Sequence, residues 1–150
     1  HEQGLRSGTE NPFAIAAFAA AAERSAALHR AQAVERRAYW GAWVEFLGEF
    51  PRLRLFRSAH ATPFVLNFCL PPIPGEVVLH HLEREGLFVS TGSACSTHKR
   101  TPSHVLLAVG QSEAEALSAV RLSFSLHNTL AGLEQVFSAF RRAMAALGRL

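Results

Sequence analysis

Cys95 stands in the stretch VSTGSACSTHKRTPSHVL, residues 89–106, with Gly92, Ser93 and Ala94 before it and Ser96 and Thr97 after it. Small neighbours leave room for a substrate to reach the sulfur. His98, Lys99, Arg100 and His104 add positive charge nearby, which favours thiolate over thiol. A thiolate with access is a nucleophile. The residues alone leave a reactive and a structural Cys95 equally open, because free cysteine often simply fills core. Cys69, inside the apolar run 64–70, fits the core description. Cys95, His98 and His104 are too few to define a structural zinc site. No paired CxxC accompanies them, and His80-His81 falls on a helix with no local partner, so no metal is expected.

The elements that must position this loop follow from periodicity and punctuation. Residues 87–90 read as a short strand entering it. Pro102-Ser103 closes it, with Ser103 capping a short helix over 104–109. Upstream, Asn11 is a good N-cap and Pro12 suits the first helical position. The alanine-rich pattern from 12 to about 48 predicts one long helix, bent near Gly41. Residues 53–58 alternate apolar and basic groups as a half-exposed strand does, and 64–70 reads as a buried strand. Pro71, Pro72 and Pro74 break the chain. A helix over 75–85 presents Val78, Leu79 and Leu82 and ends at Gly86. Ser112 caps a further helix whose first turn carries Glu113 and Glu115. Residues 120–126 alternate as a strand, and a last helix runs from Thr129 to about Leu147. The fold class expected is α/β: a small, mostly antiparallel sheet packed with helices.

Composition narrows the function classes. The 150 residues suit one domain with a real core. Hydrophobic content of 49% excludes disorder. A net charge of +3 does not by itself argue for nucleic acid. Arg52, Arg54 and Arg57 form a small basic stripe, read as a solvated strand face, and there is no glycine-rich phosphate loop. Two cysteines in differently patterned segments do not make a disulfide framework, and a reducing, cytoplasmic setting is the simpler inference. No apolar run reaches the roughly 20 residues of a membrane span.

Three stretches resemble one family in order. VSTGSACSTHKRTPSHVLLAVG, from residue 89, resembles the active-site loop of cysteine desulfurases of the NifS/IscS type, which are pyridoxal-phosphate enzymes of the class V aminotransferase family. HEQGLRSGTEN, residues 1–11, resembles the segment that closes the family's large cofactor domain. VRLSFSLHNT, residues 120–129, resembles its C-terminal strand. The resemblance implies that residues 1–11 end a large domain and that 12–150 form the small C-terminal domain of a fold-type I enzyme, preceded by its long helix. It implies a piece of a longer protein.

By the same resemblance, Cys95 attacks the sulfur of L-cysteine and carries it as a persulfide, leaving L-alanine. Thr9, in R-S-G-T, reaches the cofactor phosphate of the neighbouring subunit of a homodimer; the residues alone allow a plain helix-entry turn. Arg121 grips the substrate α-carboxylate with its guanidinium fork; the alternative is an edge-strand arginine facing water. Asn128 and Thr129 are expected to cap the last helix. Lys99 follows a histidine, as the family's Schiff-base lysine does, but lies after the cysteine and lacks the following Gly-Pro. It is the only lysine in the chain, so the pyridoxal-phosphate attachment site is expected outside this sequence and the chain alone is expected to be inactive.

The reading is therefore a pyridoxal-phosphate-dependent cysteine desulfurase. Its sulfur would pass to an acceptor protein, an iron–sulfur scaffold or a sulfurtransferase, with tRNA thiolation among the family's uses. No membrane and no direct nucleic-acid contact are expected. Two rivals stand beside it. One is a selenocysteine lyase or other class V relative. The other is a non-enzymatic persulfide carrier or interaction module without the cofactor domain.

Overall fold

The computed structural model describes the chain except residues 1–3, 5–7, 59, 93–100 and 149–150. It forms two compact units, residues 1–34 and 35–150. The first is essentially one helix, α1 (Pro12–Ala31), whose Asn11 side chain accepts the Ala14 N–H at 3.0 Å. With Pro12 next in line, one orphan donor is satisfied and another never existed, which is why the helix starts there. No residue of α1 is buried, and Phe13, Ile15 and Phe18 are exposed.

The expected single helix over 12–48 is two. α1 stops at Gln32, whose backbone leaves helical geometry (ψ 8°), and α2 (Ala33–Leu47) follows. Gly41 lies inside α2 without breaking it. A glycine costs a helix only about 1 kcal/mol, and here packing outweighs it: Arg36, Tyr39, Trp43, Phe46 and Leu47 are all buried along α2. The step falls where a buried stripe begins.

In the second unit, three antiparallel strands lie in the order β1 (Arg54–Phe56), β2 (Val65–Cys69), β3 (Ala119–Ser123). The helices are α2, α3 (Gly75–Arg84), α4 (His104–Ala108), α5 (Glu113–Leu117) and α6 (Leu133–Leu147). This is the mixed α/β architecture that the alternating patterns imply. Leu66, Phe68, Val120 and Leu122 give the sheet one apolar face. That face joins the α2 stripe, Val78 and Leu82 of α3, and Leu133, Phe140, Ala143 and Leu147 of α6 in one core. Aromatic rings dominate it. Trp43 stacks with Phe124 at 5.7 Å and meets Phe137 and Phe140 edge-on, and Phe46 stacks with Phe137 at 3.9 Å. Such pairs add directional preference to plain burial.

Local chemistry sets the boundaries. Gly86 takes φ 81°, the left-handed turn that ends α3. Ser103 caps α4, and Ser112 with Glu115 forms a full capping box on α5. Residues 87–90 do not form the expected strand. Leu87 N–H is still bonded to Leu82 O of the helix at 2.9 Å, and only Ser90 reaches the sheet before Gly92 turns away at φ 51°. The last helix does not begin at Thr129 either. A 3-10 turn, Leu130–Gly132, precedes α6, and the Thr129 side chain makes no capping bond.

Candidate functional site

Arg121 sits at the third position of β3, between the core residues Val120 and Leu122. Side chains alternate along a strand, so Arg121 points to the face away from the helical core and is half-buried there. Its backbone N–H donates to Ser90 O at 2.7 Å and its carbonyl accepts the Ser90 N–H at 3.1 Å. Both polar groups are therefore spent toward Ser90. Toward β2, the Arg121–Asn67 pair must be of the non-hydrogen-bonded kind, with side chains at their closest. Residues paired across a sheet share a face, so Phe56, Asn67, Arg121 and Ser90 form one row across it. The register thus sets Asn67 and Arg121, an amide and a guanidinium, at adjacent positions on one face of the sheet.

Ser90 is also the root of the Cys95 loop. The chain leaves the Arg121 pairing, passes Thr91 and Gly92, and enters residues 93–100. Cys95, with His98 and Lys99, lies outside the described residues. Beyond it, the Ser103 hydroxyl accepts the Leu106 N–H at 3.5 Å and caps α4. Thus one sheet position holds both the arginine and the start of the loop. Thr9, in the first unit, is exposed ahead of α1.

The far end of β3 carries a built turn that the sequence reading passed over. Arg36 of α2 is 1% exposed. Its Nη1 donates to Ser125 O at 2.8 Å and its Nη2 donates to Asn128 O. Its guanidinium also lies 5.3 Å from the Tyr39 ring centre. Asn128 does not cap the last helix. Its Oδ1 accepts the Ser125 N–H at 2.7 Å, closing the turn onto the strand end. Two backbone carbonyls held by one buried cation fix where β3 stops. The only sequence signal for Arg36 was a charge inside the apolar stripe of α2. Asn67 gave a similar signal, one amide within an apolar run. Ser118, equally overlooked, is 1% exposed; its hydroxyl donates to Ile73 O at 2.6 Å and accepts Leu70 N–H at 2.9 Å, clasping the Pro71-Pro72 loop.

Cys69 is fully buried, and desolvation, helped by the Glu115 charge and opposed by Arg54, pushes its thiol up to about 11. It is a core thiol. Glu115 is lowered to about 2, chiefly by the Ser112 hydroxyl and N–H and then by Arg54, which reaches it at 2.5 Å. The basic stripe is thus partly ion-paired. His80 meets Glu83 at 3.1 Å, and among the described residues no three His, Cys, Asp or Glu side chains gather as metal ligands. Also among the described residues, no helix is long and apolar enough to cross a membrane.

Residues 1–136 match the profile of the class V aminotransferases, and the chain belongs to that family. A NifS/IcsS protein homolog of Lactobacillus delbrueckii subsp. bulgaricus is 38% identical over 141 residues, 93% of this chain and 37% of that protein. The cysteine desulfurase IscS of Dictyoglomus turgidum is 34% identical over 150 residues, 97% of this chain and 38% of its own length. The crystal structure of the NifS-like protein from Rickettsia africae superposes with a TM-score of 0.78 at 26% identity, over 97% of this chain and 38% of that one. The chain therefore spans a little over a third of the relatives it matches. Its fold is theirs over that third.

Class V aminotransferases use pyridoxal phosphate. The described residues do not make a site for it. They include no lysine, since the single one in the sequence is Lys99, and an exposed Thr9 hydroxyl is one phosphate contact at most.

Proposed function

We propose that this chain is the small-domain portion, residues 12–150 with the end of a larger domain at 1–11, of a cysteine desulfurase acting as a homodimer. The net reaction takes L-cysteine and the Cys95 thiol to L-alanine and a Cys95 persulfide. The sulfur then moves to an acceptor protein. The observation that carries this reading is the Ser90–Arg121 pairing, which joins the loop's root to the arginine at one sheet position. The kinship with proteins named cysteine desulfurase supports it.

In this reading Arg121 binds and orients. Its fork holds the substrate carboxylate in two parallel hydrogen bonds, with Asn67 alongside. Cys95 supplies the sulfur-accepting thiolate. Flanking small residues give it access, and neighbouring basic groups favour the charged form. Thr9 contacts the cofactor phosphate across the dimer. The amine that attaches pyridoxal phosphate lies outside this sequence, so the chain on its own is inactive.

The test is Cys95→Ser in the intact enzyme. Sulfide release from L-cysteine in the presence of reductant should be abolished, with the cofactor absorbance unchanged. Undiminished release would remove Cys95 from the reaction and, with it, the desulfurase reading.

A further inference from the structure

Gly75 opens α3 and is buried against β3 and the segment at Thr91. A Cβ placed on it would lie 2.6 Å from Ala119 O, the first residue of β3, and 3.2 Å from Thr91 Cγ2. The first distance is one that real Cβ atoms do not tolerate, and its neighbour is backbone rather than a side chain that could swing away. Ala119 stands two residues before Arg121. Thr91 stands one residue after Ser90. The start of α3 therefore packs, at Ala119 and Thr91, against both segments that carry the Ser90–Arg121 pair.

Nothing else at position 75 asks for glycine. Its φ is not in the left-handed region, unlike Gly86 or Gly92. Alanine is the better helix former, so backbone conformation alone would favour a larger residue. The requirement is purely one of space. A methyl group there must move α3 and β3 apart at Ala119, whereas Thr91 need give only a few tenths of an ångström, so the strand and the loop root shift by unequal amounts.

The geometry points to Gly75 as a positioning residue: by its lack of a side chain it sets the placement of Arg121 relative to the root of the Cys95 loop, and hence the recognition of the substrate carboxylate. This rests on the Arg121 reading above. Gly75 itself touches no substrate. A displacement of about 1 Å in a group that orients a substrate costs catalysis on the order of 100-fold.

The experiment uses the intact holoenzyme and two ligands that differ only in the carboxylate, L-alanine and ethylamine, with binding followed by calorimetry. Loss of folded protein lowers the number of sites and leaves the ratio of the two affinities unchanged. Misplacing Arg121 lowers the ratio. Arg121→Lys first establishes that the ratio depends on Arg121; if it leaves the ratio intact, the carboxylate reading and this inference both fall. With that established, Gly75→Ala is expected to narrow the preference for L-alanine about tenfold at constant ethylamine affinity, and to cut kcat/KM for L-cysteine about 100-fold. An unchanged ratio in Gly75→Ala would overturn the positioning role while leaving Arg121 in place. Where Gly75→Ala does not accumulate, Thr91→Leu crowds the same junction from the opposite side. A narrowed ratio in that variant supports the inference, and a preserved one overturns it.

Discussion

Replacing Arg36 with methionine tests how β3 is terminated. The side chain is the largest fully buried one among the described residues and donates to two carbonyls, Ser125 O and Asn128 O. A hydrogen bond from a charged donor contributes about 1.5–3 kcal/mol. Ser125 and Asn128 are themselves exposed residues, so their carbonyls can partly rehydrate, and the lower end applies, or about 3 kcal/mol for the pair. Loss of the Tyr39 contact adds roughly 0.5 kcal/mol. Against this, methionine refills the apolar volume and relieves a buried charge whose Nε finds no partner and whose ion pair with the exposed Glu35, at 3.5 Å, contributes little, returning about 1–2 kcal/mol. The net expectation is a loss of about 2 kcal/mol. Arg36→Lys should do no better than methionine, because one ammonium cannot span both carbonyls and remains buried. Urea titration with an unchanged m-value is the assay. A methionine variant within about 0.5 kcal/mol of the parent, or a lysine variant equal to it, would refute the clamp.

Ser118→Ala removes one buried and one part-buried hydrogen bond at once and leaves Leu70 N–H and Ile73 O without their partner; a loss of about 2–3 kcal/mol in urea is expected, and a neutral result would show the Pro71-Pro72 loop is held by other means. Cys69 should resist thiol reagents in the native protein up to pH 9, and native reactivity matching the urea-unfolded rate would contradict its burial. Its folded value, about 11 against the ordinary 9.0, favours the folded state below pH 9 and withdraws that contribution as pH rises toward 11. Glu115 runs the other way. With its carboxyl lowered from 4.5 to about 2, its stabilisation of α5 is complete above about pH 4.5 and fades as pH falls toward 2. Glu115→Gln should therefore flatten the acid limb of the stability curve, and an unaltered limb would count against the capping-box assignment.

Much of this protein was legible in one dimension. Asn11-Pro12, Ser103, Ser112 with Glu115, and Gly86 punctuate the helices through bonds within a few residues of themselves, and chain order alone exposes such bonds. The alternation at 120–126 and the apolar run 64–70 fixed two strands and, with Cys69 inside the second, assigned that thiol to the core. The motifs around Cys95 and Arg121 carried the family. Other features depended on groups distant in sequence. Whether the helix stepped at Gln32 or bent at Gly41 turned on which segment had a core to pack against, and that packing overrode propensity, which alone would have put the break at the glycine. Residues 87–90 had a strand's composition, yet only Ser90 met a partner, because the end of α3 still claims Leu87. Asn128 looked like a cap until Arg36, 92 residues away, held its carbonyl and left its side chain to close the turn on Ser125. Asn67 and Gly75 gained their meaning only when the sheet register set one opposite Arg121 and the packing of α3 set the other against Ala119. Local hydrogen-bonding chemistry is written in neighbouring residues; register and close approach exist only once distant segments are brought together.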